Sequence, residues 1–302
     1  MKTTLLPLLL TAVLTLTVCS CEKANLGPSG TDPETGVTDG YTVSLNVAQI
    51  ERQPIGAGTG ATAVALGDVC TRVSYIVLNS SGQVYTTKHQ AAGSQPIGSL
   101  TLTLPAGSYR VVTVAHSGAG NLSVEGNDKI KFKDNKVTDT YWGTADMTVS
   151  GPTDCALHLQ RVTARLCVDI AEAMPAQVSR MEFFYTGGSS TLGATTGYGV
   201  VNSRQTEVRT VSADMAGCAT QFELYTLPHN DTGQLKLTIK ALDAQGGTVA
   251  QAEYADLPIS RNATTTKSVS LFGTTPPEGG DEADLSLSLS AKPSDGPINQ
   301  CY

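Results

Sequence analysis

Apolar and polar residues alternate in many short runs along the chain. The run from Tyr41 to Val47 alternates strictly, and a period of two marks a β-strand with one buried face. Gly, Pro, Asn and Ser residues separate the runs, as turn residues do between short strands. Further strands are predicted at residues 73–78, 100–104, 109–115, 142–149, 180–185, 206–211, 220–225, 235–242 and 265–271. The pattern predicts an all-β protein.

The predicted strands form two sets, separated by the break at Gly151-Pro152. Each set spans a length that is common for one domain. Short strands punctuated by turns, twice over, predict two β-sandwiches in tandem, at residues 41–152 and 153–273.

The alternation changes phase within the second set. Cys155, Leu157 and Leu159 face one way, and the apolar positions then resume at Val162, one residue out of phase. A single strand cannot bury both groups on one face without an inserted residue, so a bulge is predicted at Gln160-Arg161.

The first residues have the character of a secretion signal. Lys2 precedes an apolar run from Leu5 to Val18, which as a helix would be about 21 Å long, short of a hydrocarbon core of about 30 Å. Residues 1–20 are therefore predicted to be a signal peptide. Its end, Val18-Cys19-Ser20-Cys21, has a small residue before a cysteine. This pattern is similar to a bacterial lipobox, so Cys21 is the predicted lipidation site, and residues 21–40 are a polar tether.

The tail contains one further alternating run. Residues 273–284 are rich in Pro, Gly and acidic residues, and predict a linker. After it, Leu285, Leu287 and Leu289 alternate with serines. An isolated strand leaves its backbone groups unpaired, so this run is predicted to add to a sheet edge, its own or a neighbour's. A disordered tail with chance alternation is the alternative. Residues 274–302 are thus predicted to be a linker followed by a partner strand.

The composition and the motifs argue against several classes of function. A formal net charge of −7 does not suit nucleic-acid binding, which needs a basic face. No metal-ligand spacing, nucleophile elbow or phosphate loop occurs in the sequence. We therefore predict no enzyme activity, no catalytic residues, no metal and no cofactor. Tyr141, Trp142 and Tyr198 are the aromatic residues that could bind a sugar, although Trp142 also suits a core position.

Five cysteines follow Cys21, an odd number that leaves the disulfide pairing open. Cys155, Cys167 and Cys218 are predicted to be small buried residues.

Several segments, taken in order, resemble one known family. They are the lipobox at Cys21, Val73-Ser74-Tyr75-Ile76-Val77-Leu78, Leu104-Pro105-Ala106-Gly107-Ser108-Tyr109-Arg110, Leu159-Gln160-Arg161-Val162-Thr163-Ala164-Arg165-Leu166, and Leu257-Pro258 with Ser270-Leu271-Phe272-Gly273. Together they are similar to the FimB/Mfa2 family of fimbrial anchor and accessory lipoproteins of Bacteroidales, over about residues 41–273.

The resemblance implies two transthyretin-like β-sandwich domains, an outer-membrane lipoprotein, and other fimbrial subunits as partners. In related fimbrillins, subunits polymerise by strand exchange after a protease removes an N-terminal strand that ends at an Arg. Arg52 is the candidate for such a site here, and a loop arginine is its alternative interpretation. The other functional hypothesis is a cell-surface lipoprotein that binds glycan or a host ligand through the sandwich loops.

Overall fold

The computed structural model describes residues 40–51, 65–93 and 97–273, and two tail segments, 285–288 and 298–300. In these ranges the chain is built from strands, and its helical segments are three short 3-10 helices at Leu66–Asp68, Lys133–Asn135 and Ala213–Met215. The prediction of an all-β protein is confirmed. The strands are β1 Tyr41–Glu51, β2 Arg72–Asn79, β3 Val84–Ala91, β4 Ser99–Leu104, β5 Gly107–His116, β6 Ser123–Glu125, β7 Lys129–Lys131, β8 Thr140–Val149, β9 Thr153–Arg161, β10 Ala164–Ile170, β11 Arg180–Thr186, β12 Thr191–Gly193, β13 Gln205–Thr210, β14 Ala219–Thr226, β15 Thr232–Leu242, β16 Thr248–Ser260, β17 Thr264–Val269, β18 Leu285–Ser288 and β19 Ile298–Gln300.

The first half of the chain forms a seven-stranded sheet in the order β3-β2-β5-β8-β9-β1-β4. Its pairs are antiparallel except β1–β9, which is parallel. The β8–β9 ladder joins only two residue pairs, Tyr141 with Arg161 and Trp142 with Gln160. Side chains from both ends of the sheet share one core. The sheet therefore folds over on itself at the β8–β9 corner and encloses that core, which includes Val43, Leu45, Val73, Tyr75, Val77, Leu104, Val111, Leu157 and Leu159.

The second half forms two sheets over a separate core. One sheet has the order β18-β17-β10-β14-β19 and the other β13-β11-β15-β16. Alternate residues of β11 and β15 are buried, as expected where one face of each strand contacts the core. The Phe183 and Phe222 rings join the two layers with their centroids 5.1 Å apart. Other members of this core are Leu166, Val168, Met181, Tyr185, Leu224, Leu237, Ile239 and Ala241.

A third core lies where the two halves meet within one compact unit. The small sheet β12-β7-β6 takes strands from both halves of the chain. Trp142 is buried here, which confirms the prediction of a core position, and its indole nitrogen donates to the Ala194 carbonyl at 2.9 Å. The core also contains Ile76, Val112, Val114, Ile130, Phe132, Leu192 and Leu227.

The predicted bulge at Gln160-Arg161 is wrong. The chain instead ends β9 at Arg161 and begins β10 at Ala164, so Cys155 and Cys167 lie on strands of different sheets. The shift of phase that the sequence shows is the chain's passage from one sheet to another, which needs no inserted residue. The strand β9 follows the predicted boundary at residue 152 and pairs within the first sheet. The domain limits and the transthyretin-like assignment stay predictions.

Candidate functional site

The tail contributes the two outer strands of the five-stranded sheet. β18 pairs antiparallel with β17, with Leu287 opposite Thr265. β19 pairs antiparallel with β14, with Asn299 opposite Thr220. Leu285 and Leu287 therefore lie in a strand that adds to a sheet edge of its own chain. Leu289 lies outside the described residues.

The point at which the tail leaves the body is fixed by Glu172. Its carboxylate accepts hydrogen bonds from the Ser270 hydroxyl at 2.7 Å and from the backbone N–H groups of Leu271, Phe272 and Gly273 at 2.5, 3.2 and 2.7 Å. Partial burial opposes the charge, but these donors together lower the pKa of Glu172. The carboxylate therefore holds the end of the body in place beside the linker. Nothing in the sequence pattern indicates this role, because Glu172 is about a hundred residues away.

The first strand is the other candidate for exchange. β1 lies inside the seven-stranded sheet, antiparallel to β4 and parallel to β9. Its Val43 and Leu45 are fully buried. Without β1, the facing edges of β4 and β9 and the core behind them would be open to a replacement strand. Arg52, the residue after β1, lies outside the described residues, as does Cys21.

The aromatic residues proposed for sugar binding do not form an exposed platform. Tyr141 is fully buried and its hydroxyl donates to Asp139 at 3.0 Å, while Trp142 belongs to the third core. Tyr198 is half-buried, and its ring lies against the Arg261 guanidinium at 4.4 Å from the ring centroid. These three residues are thus engaged in packing and internal polar contacts.

An open groove of about 530 Å³ lies on the first half, beside the β2–β3 turn. Its wall carries Arg110, whose guanidinium donates to both oxygens of Asp146 at 2.7 and 3.0 Å. Tyr109 also lines the groove, and the exposed Tyr85 meets its ring edge-on with centroids 5.7 Å apart. The pair is not visible in the sequence, because the two tyrosines come from separate strands, β3 and β5.

The described residues show neither a metal-binding cluster nor a membrane-spanning helix. Within the described ranges, no group of three or more His, Cys, Asp and Glu side chains is placed to bind a metal ion. In the same ranges, no helix is long and apolar enough to cross a membrane.

One known protein family matches most of the chain. The family of fimbrillin-A associated anchor proteins Mfa1 and Mfa2 matches residues 37–266. This chain belongs to that family. The match begins just before β1 and ends within β17, so it covers the main body of both halves. The members of this family are anchor proteins associated with fimbrillin, so the family has a fimbrial role. No curated relative matches the chain.

Several solved structures are similar to parts of this chain. The fimbrial anchor protein Mfa2 from Porphyromonas gingivalis is 11% identical with a TM-score of 0.43, covering 70% of this chain and 82% of that one. A candidate adhesin from Bacteroides thetaiotaomicron is 12% identical with a TM-score of 0.46, covering 79% and 93%. A candidate polysaccharide-binding protein from the same organism is 10% identical with a TM-score of 0.45, covering 70% and 79%.

Proposed function

We propose that this Mfa2-family chain is a lipid-anchored outer-membrane fimbrial subunit, an anchor or an accessory subunit. It joins fimbrillin partners by β-strand addition and supports fimbria assembly and adhesion. The observation that carries the proposal is the pairing of the tail strand β18 with the edge strand β17.

The chemistry of an added strand explains both affinity and choice of partner. Main-chain hydrogen bonds along a new edge provide affinity, and alternate side chains in a groove provide specificity. In the isolated chain β18 covers β17, which avoids leaving an open edge that would pair at random. The leucines at 285, 287 and 289 recur every second residue. Offered to another subunit, the same strand would present one apolar row to its acceptor.

The proposed membrane attachment rests on the sequence around Cys21. A diacylated or triacylated cysteine there would anchor the chain, because each buried CH₂ contributes about 0.8 kcal/mol and two or more chains make the attachment stable. The polar tether at residues 21–40 would hold the body away from the lipid surface.

Whether the mature chain keeps Arg52 distinguishes an anchor from a subunit of the fimbrial shaft. We expect the mature protein from the native outer membrane to begin with a lipidated Cys21 and to keep Arg52, which intact mass spectrometry measures. A chain that begins directly after Arg52 would mean that β1 is removed and that the protein polymerises within the shaft.

The strand-addition proposal is tested by removing backbone donors from β18. The double variant Ser286→Pro/Leu287→Pro eliminates two N–H groups at adjacent positions, one of which faces the partner strand. Loss of about 1.4 kcal/mol of ladder hydrogen bonding corresponds to roughly a tenfold weaker association. We expect at least about a tenfold drop in the fraction of this protein that copurifies with fimbriae.

The matched control is Ser294→Pro/Asp295→Pro, which places the same two prolines in the tail outside β18 and β19. It should copurify with fimbriae at the normal level. Both variants are compared at equal amounts in the membrane. Normal copurification of the β18 variant would show that this strand is not the donor.

The groove beside Tyr85 and Tyr109 favours a second candidate function, binding of a glycan. Its wall combines the Tyr109 ring, which packs against Tyr85, with a charged pair and small polar side chains, and ligand pockets commonly pair aromatic side chains with a few polar groups in this way. Tyr85→Ala should then abolish retention on the glycans that the wild-type protein binds in an array, with the distant exposed Val208→Ala as the control. If the wild-type protein binds no glycan in the array, glycan binding by this groove is contradicted.

A further inference from the structure

Cys218 is the disulfide-bonded cysteine among the described residues. It follows the 3-10 helix Ala213–Met215 and directly precedes β14. Its backbone is fixed on both sides, because its N–H donates to the Met215 carbonyl at 3.1 Å and its carbonyl accepts from the Met174 N–H at 3.0 Å. The residue is buried. The prediction that Cys218 is a small buried residue is correct for its burial and wrong for its chemistry.

The other described cysteines do not supply the partner. Cys70, Cys155 and Cys167 are buried and carry reduced thiols. Burial raises the pKa of Cys167 to about 11, and it also raises the pKa of Cys155, so both thiols stay protonated and are poor nucleophiles. Cys167 also faces Glu223, five residues along β14 from Cys218 and thus about 16 Å away.

The register of the tail identifies the partner. In the β14–β19 ladder, Gln221 faces Ile298, Thr220 faces Asn299 and Ala219 faces Gln300. Each step toward the start of β14 moves one residue toward the C-terminus on the antiparallel partner. Extended by one residue beyond these three pairs, the same register would set Cys301 opposite Cys218. Directly opposed residues of antiparallel strands have Cα atoms about 4.5–5.5 Å apart, within the range of about 4.4–6.8 Å that a disulfide spans.

We propose that a disulfide between Cys218 and Cys301 fastens the tail strand β19 to the edge of the five-stranded sheet. The bond forms by oxidation of the two thiols: one S–S bond replaces two S–H bonds, and two electrons and two protons pass to the disulfide of a thiol–disulfide oxidant. The supply of such an oxidant rests on the export proposed above, since disulfides form and persist outside the cytoplasm.

The disulfide would change how the tail takes part in strand exchange. The Glu172 carboxylate holds the chain at Gly273, and the proposed bond holds it at Cys301. The donor strand β18 would then be the middle of a closed loop rather than a free arm. The nine residues between β18 and β19 span at most about 30 Å when extended. A partner could therefore receive β18 only within that distance of the sheet, and β19 would stay on β14.

The pairing is tested by peptide mapping on the wild-type protein. Cells that make the protein are treated with N-ethylmaleimide before lysis, and the purified chain is digested with trypsin without reduction. We expect peptide 210–236 joined to peptide 268–302, since trypsin does not cut the Lys292–Pro293 bond. On a non-reducing gel the chain should run as a monomer.

Three results would overturn the proposal: maleimide on both Cys218 and Cys301, a link from Cys218 to another cysteine, or a linked dimer. A Cys301→Ser variant provides a second readout. Amides of Ile298–Gln300 should then exchange with deuterium at least about tenfold faster, while those of β11 should keep their rate. The mapping does not depend on fimbria assembly, so a failure of the proposed function would leave its result intact.

Discussion

The Arg161 guanidinium is buried where the chain passes from the first half to the second. It donates to Asp139 through Nε at 2.8 Å and Nη2 at 3.0 Å. The same carboxylate accepts from the hydroxyls of Tyr141 at 3.0 Å and Thr163 at 3.2 Å. Both charged side chains are less than a tenth exposed. A buried pair of this kind fixes geometry, because neither charge has an alternative partner in water.

We expect Asp139→Ala to lower the free energy of unfolding by about 3–5 kcal/mol, because it leaves the Arg161 charge buried without its carboxylate. Urea denaturation followed by tryptophan fluorescence measures the change. The matched control is Asp146→Ala, which breaks the exposed pair with Arg110 and should cost at most about 1 kcal/mol. Equal effects of the two substitutions would contradict the structural role given to Asp139.

A buried histidine gives the molecule a dependence on pH. Burial, and then the nearby charges of Arg72 and His89, lower the pKa of His116 from 6.5 to about 4. Its Nδ1 accepts from the Gly118 N–H at 3.0 Å, so the ring proton is on Nε2, which has no hydrogen-bond partner in the described part of the chain. The unfolded chain takes up this proton below pH 6.5, whereas the folded chain resists until about pH 4. This stability is complete above pH 6.5 and is lost as the pH falls toward 4.

Wild-type protein should therefore lose about 3 kcal/mol of unfolding free energy through this residue between pH 7 and pH 4. Urea titrations at several pH values measure the loss. His116→Gln should flatten that part of the curve, and the exposed His158→Gln should leave it unchanged. A curve for His116→Gln that matches wild type would contradict the assignment.

At the scale of elements, the β8–β9 corner decides how the first half closes. A Cβ on Gly143 of β8 would overlap the carbonyl oxygen of His158 on β9. The two strands can approach this closely because residue 143 has no side chain. The corner in turn allows one sheet to enclose a core from both sides.

Gly143→Ala should force β8 and β9 apart and destabilise the protein by about 1–3 kcal/mol, since the obstacle is backbone and cannot rotate away. Thermal unfolding measures the loss. Gly151→Ala, with open space around the added Cβ, should stay within about 0.5 kcal/mol of wild type. Unchanged thermal stability of Gly143→Ala would show that β8 and β9 can accommodate a side chain at residue 143, which would contradict this explanation.

The elements that were predictable from sequence are those specified by local residues. The β2–β3 turn is one: Asn79 Oδ1 accepts from the backbone N–H groups of Ser81 and Gln83, both at 3.0 Å, and Gly82 has a φ of +73°. β16 was missed, because its Ala, Glu and Pro residues follow no clear period. The switch of sheets at residues 162–163 was mistaken for a bulge, because the phase shift alone does not show which sheet receives each half.

Across the whole molecule, the sequence does not determine which distant strands pair or how their residues align. The edge on which Leu285 and Leu287 lie depends on β17, and the partner of Cys218 depends on how β19 aligns with β14. The resemblance to the fimbrial anchor family did not depend on register, and the family match confirms it. Local pattern thus predicted the class of fold, and the resemblance of several segments predicted the family, while the pairing of the tail strands required the structure.

The proposed donation of β18 to another fimbrial subunit can be tested by photo-crosslinking. A photoreactive amino acid replaces Leu287 in cells that build fimbriae, with the exposed loop position Val201 as the control. After illumination, we expect a covalent adduct between position 287 and a second fimbrial protein, and none from position 201. Adducts from position 287 that join only to β17 of the same chain would contradict the claim.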